Sequence, residues 1–217
     1  MNRISDVVKN LVIINVVVFI GQLTLPEHIT AYLPFHNPKT EAFQPFQIIS
    51  HMFAHGSVTH IFFNMFGLFM FGSPLEYYWG PKKFLTFYLV TGLGALAVYL
   101  GAWYMEGMIK YGENMLLDQY LHQPFALLGA SGAVFGILAG FAMKFPNQPL
   151  MLIFFPVPIK AKYMVMIYGA LELFQGLNPG FMSSAGGPQV AHFAHVGGAL
   201  VGILMILFWR KNGLRQL

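Results

Sequence analysis

Six apolar stretches, each near the length a helix needs to cross a bilayer, constrain this chain more than any other feature of its sequence. They lie at roughly 10–26, 58–79, 83–104, 127–144, 161–177 and 190–209. A hydrocarbon core about 30 Å thick takes about 20 helical residues. Residues 145–160, FPNQPLMLIFFPVPIK, are apolar too, but Pro146, Pro149, Pro156 and Pro158 interrupt them, so an interfacial loop is expected there instead of a helix. With 56% hydrophobic and only 9% charged residues, the chain lacks the polar surface of a soluble domain. The expected fold is an all-α integral membrane protein, a compact single-domain bundle of six transmembrane helices over residues 1–217. There is no cysteine, which excludes disulfides, thiolate chemistry and cysteine-ligated metals.

The charges supply the topology. Arg3, Lys9, Lys82, Lys83, Lys144, Lys160, Lys162, Arg210, Lys211 and Arg215 fall in the two tails, the 80–83 turn and the 144–162 segment. The opposite loops hold Lys39 and Lys110, so ten of the twelve basic residues share one side. The positive-inside rule makes that side cytoplasmic, with both termini on it. The net charge of +4 is thereby explained without a nucleic acid or other anionic partner. No small-x-small cleavage site follows the first run before Pro26, so it is read as a retained helix, not a signal peptide.

Three external loops follow from this topology. Residues 27–57, rich in aromatics and prolines, are expected to lie partly in the membrane interface. Residues 105–126 are more polar, and 178–189, NPGFMSSAGGPQ, has the composition of a mobile loop.

Spans two, four and six all enter from outside, so distance from the external end measures depth. His60 and Asn64 share one face of span two, Ser131 lies about a turn into span four, and His195 is similarly placed in span six. At 1.5 Å per residue all four fall within roughly the outer 10 Å. Gly129, Gly132, Gly136 and Gly140 in span four, and Gly198 and Gly202 in span six, allow close backbone packing that brings Ser131 to His195. A neutral histidine is the usual base that activates a serine hydroxyl. His60, Asn64 and the Ser131 backbone N–H are then the donors available to an oxyanion. Glu76 and Glu172 are the acids within the spans, and neither is expected to orient His195, which leaves a Ser–His dyad. Phe135, a turn below Ser131, either packs on the imidazole or fills the core.

The segments GASG (129–132), HMFAHGSVTHIFFN (51–64) and AHVGGALVG (194–202) together resemble the rhomboid intramembrane serine proteases, in order and spacing over nearly the whole chain. The resemblance implies Ser131 as nucleophile, His195 as base, and His60 and Asn64 as oxyanion donors. It implies that His51 and His55 shape a water-filled cavity, and that Gly198 and Gly202 admit span six to span four. It also implies a cap formed by 178–189, substrate entry beside span five, and transmembrane protein substrates with a locally unstable helix and a small residue at the cut. No cofactor or metal is expected. Phe46-Gln47 replaces the Trp-Arg that many members carry in the first loop, and Phe135 replaces a frequent tyrosine. Neither departure touches the dyad.

Two other classes compete with the protease. His51, His55, His60, His192 and His195 are enough imidazoles for a metal-binding membrane protein, although HExxH is absent and no acid is expected beside them. A non-proteolytic binder of membrane helices is the other, and the presence of both dyad members argues against it. His192 is expected to line the cavity mouth or bond the cap. A bacterial cytoplasmic membrane is expected, because the chain reads as a bare six-span core.

Overall fold

The computed structural model describes residues 4–152, 155–178 and 190–213. Helix α1 covers Asp6–Thr24, followed by the short α2 (Pro26–Ile29), strand β1 (Phe35–His36) and α3 (Gln47–Ser50). Next comes a continuous helical run, Val58–Trp79, made of α4 (Val58–Gly67), a π-helical turn (Leu68–Gly72) and α5 (Ser73–Trp79). The order then runs α6 (Pro81–Tyr111), α7 (Met115–Leu121), β2 (Ala126–Leu127), α8 (Ser131–Lys144), β3 (Pro149–Leu152), β4 (Phe155–Lys160), α9 (Ala161–Leu177) and α10 (Val190–Lys211).

Four of these helical runs, Asp6–Thr24, Val58–Trp79, Pro81–Tyr111 and Ala191–Lys211, are long and apolar enough to cross a membrane. Large apolar side chains such as Ile13, Val17, Phe62, Leu204 and Phe208 are exposed on them, as lipid-facing positions require and water-facing ones do not tolerate in such number. Inside, Val8, Leu68, Leu75, Phe84, Phe87, Tyr88 and Ile137 are fully buried. α8 touches α4, α5, α6, α9 and α10, which puts it at the centre of the bundle.

Several boundaries differ from the sequence reading. The third run extends through Tyr111 instead of ending at 104: Gly107 stays helical, packed against Tyr120, and the helix ends at Gly112, whose φ of 62° suits glycine. The fourth does not begin at 127. Ala126 and Leu127 pair with His36 and Phe35, and Gly129 has φ of 124°, so the helix starts only at Ser131. The all-α expectation gives way at two small antiparallel sheets, β1–β2 and β3–β4. The proline-rich segment after Lys144 is the β3–β4 hairpin, with Pro149 opposite Lys160.

The segment between α1 and α4 is tied down by amides and not by apolar packing alone. Gln47 is fully buried; its Oε1 accepts from the His36 and Gln44 amides (3.2 and 3.1 Å), and its Nε2 donates to the Tyr32 and Ala42 carbonyls (both 3.0 Å). Gln47 thus bonds four backbone groups of the segment at once. Buried Asn37 likewise donates to the Leu121 and Gln123 carbonyls. At the other end of the bundle, the Glu76 carboxylate accepts from the Val7 and Val8 amides (3.0 and 2.9 Å), which are among the unpaired donors at the start of α1.

Candidate active site

The site is assembled at the first turn of α8. The Gly129 amide donates to the His51 carbonyl (2.8 Å), and a side chain at Gly129 would meet the His60 ring at 2.8 Å. Glycine is thus demanded twice there, by φ and by space. Ser131 follows as the first helical residue, and the Val134 amide bonds to Ala130, so the amides of the turn before it have no partner within the helix. The positive end of the helix dipole therefore lies at Ser131.

α10 is drawn onto α8 through glycine. A methyl at Gly198 would overlap the Gly132 carbonyl oxygen, and one at Gly202 would sit 3.0 Å from the Gly136 oxygen. With backbone against backbone, His195 Nε2 comes within 2.8 Å of Ser131 Oγ. The Phe135 ring stacks on the His195 imidazole with centroids 4.4 Å apart and planes 5° from parallel.

From α4 the His60 ring lies against Gly129. The contacts His60 to Gly129 and Gly67 to Val134 show that α4 and α8 run side by side in the same direction, which brackets Asn64 and Ser131 at one level. The Gly56 amide donates to His60 Nδ1 at 3.4 Å, which leaves Nε2 as the nitrogen that carries the hydrogen. Asn64 Nδ2 is buried and has no hydrogen-bond partner among the described residues. Its donor is therefore available to an incoming acceptor.

His51 and His55 lie just before α4 and are both buried. His51 Nδ1 donates to the Gln47 carbonyl (2.9 Å), and the residue lines a small pocket with Met52, Gly92, Leu128, Gly129 and Ser131. The His55 ring meets His60 edge-on at 5.0 Å between centroids. Burial, with His60 adding to it, pushes the His55 imidazole down to about 4, so it is neutral at physiological pH.

The acid that the sequence reading left out is present. Glu172 Oε2 lies 2.9 Å from His195 Nδ1 and 2.7 Å from His192 Nδ1. Glu172 is five residues from the C-terminal end of α9 and His195 five from the N-terminal end of α10, so both stand about 7.5 Å in along antiparallel neighbours. The depth comparison among spans two, four and six, carried over to span five, contains the signal. His192 accordingly bonds an acid on α9, where a cap or cavity-mouth contact was expected. The 178–189 cap, Asn178 apart, lies outside the described residues. Glu172, His192 and His195 are also close enough to hold a metal ion, their donor atoms all within 4.8 Å of one another, and this corrects the expectation that no acid accompanies the histidines. His51, His55 and His60 do not belong to that group.

The fold is that of a multi-pass membrane protein, and within it a serine and a histidine stand at hydrogen-bonding distance. Residues 42–212 match the family model described as the Rhomboid domain, and the chain belongs to the rhomboid family. It is 30% identical over 169 residues to the mitochondrial RHOMBOID-like protein 12 of Arabidopsis thaliana, covering 77% of this chain and 47% of that protein. It is 30% identical over 167 residues to Rhomboid protease AarA of Providencia stuartii, covering 71% and 52%. The mitochondrial Rhomboid protein 1 of Saccharomyces cerevisiae matches at 30% over 159 residues, 72% and 40%. The chain spans about half the length of the curated relatives it matches.

Proposed function

We propose that this protein is an intramembrane serine endopeptidase that cleaves transmembrane segments of other proteins. The observation that carries the reading is the 2.8 Å contact between His195 Nε2 and Ser131 Oγ at the start of α8. Membership of the rhomboid family, which includes a named rhomboid protease, supports it.

In this mechanism Ser131 Oγ attacks the scissile carbonyl as His195 Nε2 takes its proton. The resulting oxyanion accepts from the Ser131 amide, His60 Nε2–H and Asn64 Nδ2–H. His195 then gives the proton to the leaving amine, and the acyl-enzyme is hydrolysed by a water that His195 activates in turn. The small pocket beside Ser131 supports a small residue next to the cut.

The same reading holds that six helical units cross the membrane with both ends cytoplasmic. Ten of the twelve basic residues on one side support it. α8 has 14 residues and so measures about 21 Å, shorter than a core of about 30 Å. With Lys144 at the cytoplasmic boundary, Ser131 stands about 9 Å below the external one, within reach of a substrate helix that unwinds near its outer end. The relatives include mitochondrial and chloroplastic proteins of Arabidopsis thaliana as well as a Providencia stuartii protein, and so lend no support to the bacterial cytoplasmic membrane expected from the sequence.

The test is cleavage in proteoliposomes that contain the full chain and a panel of single-span proteins, with helix-breaking residues and a small residue placed at varied depth. The reading expects cuts confined to the outer part of unstable spans and absent with Ser131→Ala. Cleavage that survives Ser131→Ala, or none for any panel member by folded protein, contradicts it.

A further inference from the structure

We infer that Glu172 is a positioning residue for the proposed proteolysis: its carboxylate selects the tautomer and orientation of His195 that let Nε2 act as the base. The inference rests on the reading of Ser131 and His195 as nucleophile and base, and adds an acid supplied by a different helix.

An ionised carboxylate can only accept, so both imidazole nitrogens at Glu172 Oε2 must carry hydrogens. For His195 this places the hydrogen on Nδ1, 2.9 Å from the carboxylate, and leaves the Nε2 lone pair facing Ser131 Oγ at 2.8 Å. The opposite tautomer would set a lone pair against the carboxylate, losing that hydrogen bond, and would make Nε2 a donor to the serine oxygen, unable to take its proton. The ring is held in two ways: Phe135 fixes its plane by stacking, and Glu172 fixes its rotation within that plane. As the proton moves onto Nε2, the positive imidazolium forms beside a negative carboxylate in a partly buried site, where the attraction is larger than in bulk water.

His192 completes the arrangement. Glu172 retains only 16% of its side-chain exposure, and a carboxylate at that depth needs more than one donor. The His192 Nδ1–H at 2.7 Å provides the second, from a ring set at 86° to that of His195. Nearby, Gly176 lies against Phe193 and the His192 Cβ, which lets the C-terminal end of α9 approach α10.

The experiment uses the purified full chain in detergent and an alkyl fluorophosphonate, read as the separate maximal labelling rate and half-saturating probe concentration. Glu172→Gln keeps the size of the side chain and removes the charge. It is expected to lower the maximal rate by at least tenfold, up to the roughly 10²–10⁴ that general base catalysis is worth, with half-saturation and thermal midpoint unchanged. Wild-type rates in Glu172→Gln overturn the inference. Nitrogen NMR of histidine-labelled wild-type protein provides a check that needs no variant to fold. His195 is expected with its hydrogen on Nδ1, and finding it on Nε2 overturns the assignment. If Ser131→Ala and His195→Ala abolish labelling while Glu172→Gln does not, the nucleophile and base stand and only the role of Glu172 falls.

Discussion

Gly198 of α10 lies so close to Gly132 of α8 that the Gly132 carbonyl occupies the place a side chain would need. This contact sets the distance between the helix that carries Ser131 and the one that carries His195. Gly198→Ala must push backbone from backbone, since no flexible side chain is there to yield. Overpacking of this kind costs about 1–3 kcal/mol or more. A misplacement of about 1 Å can cost roughly 10²-fold in rate. Gly198→Ala is therefore expected to lose labelling of Ser131 out of proportion to its loss of thermal stability. Gly202→Ala, which meets the Gly136 oxygen at 3.0 Å, should show the same effect more weakly. Equal labelling by wild type and Gly198→Ala would mean the helices are not held apart by this contact.

The oxyanion donors give a graded prediction. Asn64→Ala removes the buried Nδ2 that has no partner among the described residues, so its loss costs the fold little and the reaction more. His60→Ala removes the donor packed against Gly129. Loss of a dominant donor should cost roughly 2.7–4 kcal/mol in the chemical step, and less where the remaining donors share the charge. Turnover on a fixed transmembrane substrate, with thermal midpoints measured in parallel, checks this. A variant that loses stability but keeps turnover contradicts the assignment.

Buried His55 predicts an acid sensitivity. An ordinary imidazole binds a proton as the pH falls through about 6.5, whereas His55 in the folded protein resists until about 4. Between those values the unfolded chain holds a proton that the folded chain does not, so stability falls as the pH falls through this window; below about 4 this group causes no further loss. Thermal midpoints at pH 7 and pH 4.5 should therefore drop further for wild type than for His55→Gln. Parallel pH dependence in the two proteins would contradict the burial of a neutral ring.

Gln47→Ala removes four hydrogen bonds from the segment between α1 and α4 and leaves two backbone amides and two carbonyls to find other partners. At about 1 kcal/mol or less per bond, a loss of about 2–4 kcal/mol is expected. Calorimetry or thermal unfolding in detergent measures it, and a change near zero would show that the segment is held by packing alone.

How legible this protein was depended on which residues had to be compared. Membrane-length runs are visible because burial in lipid demands unbroken apolar sequence, and His60, Asn64, Ser131 and His195 could be matched by depth because three helices enter from the same side. The start of α8 was hidden in that pattern: residues 127–130 are as apolar as a helix, and only the strand pairing with 35–36 and the φ of Gly129 exclude them from it. Glu172 was missed for a different reason. It lies on a helix running the opposite way, and its depth matches that of His195 only when counted from the far end of α9. Gln47 was seen as a departure from the family pattern, but an amide that bonds four backbone groups is recognisable only once the segment is folded around it.

The most direct measurement is labelling of the purified, folded protein by a fluorophosphonate probe, comparing wild type with Ser131→Ala and His195→Ala. The account predicts one label per chain on the wild type, located at Ser131 by mass spectrometry and lost in both variants. Labelling unchanged by removal of His195, or attached to a different residue, would contradict a serine nucleophile activated by that histidine.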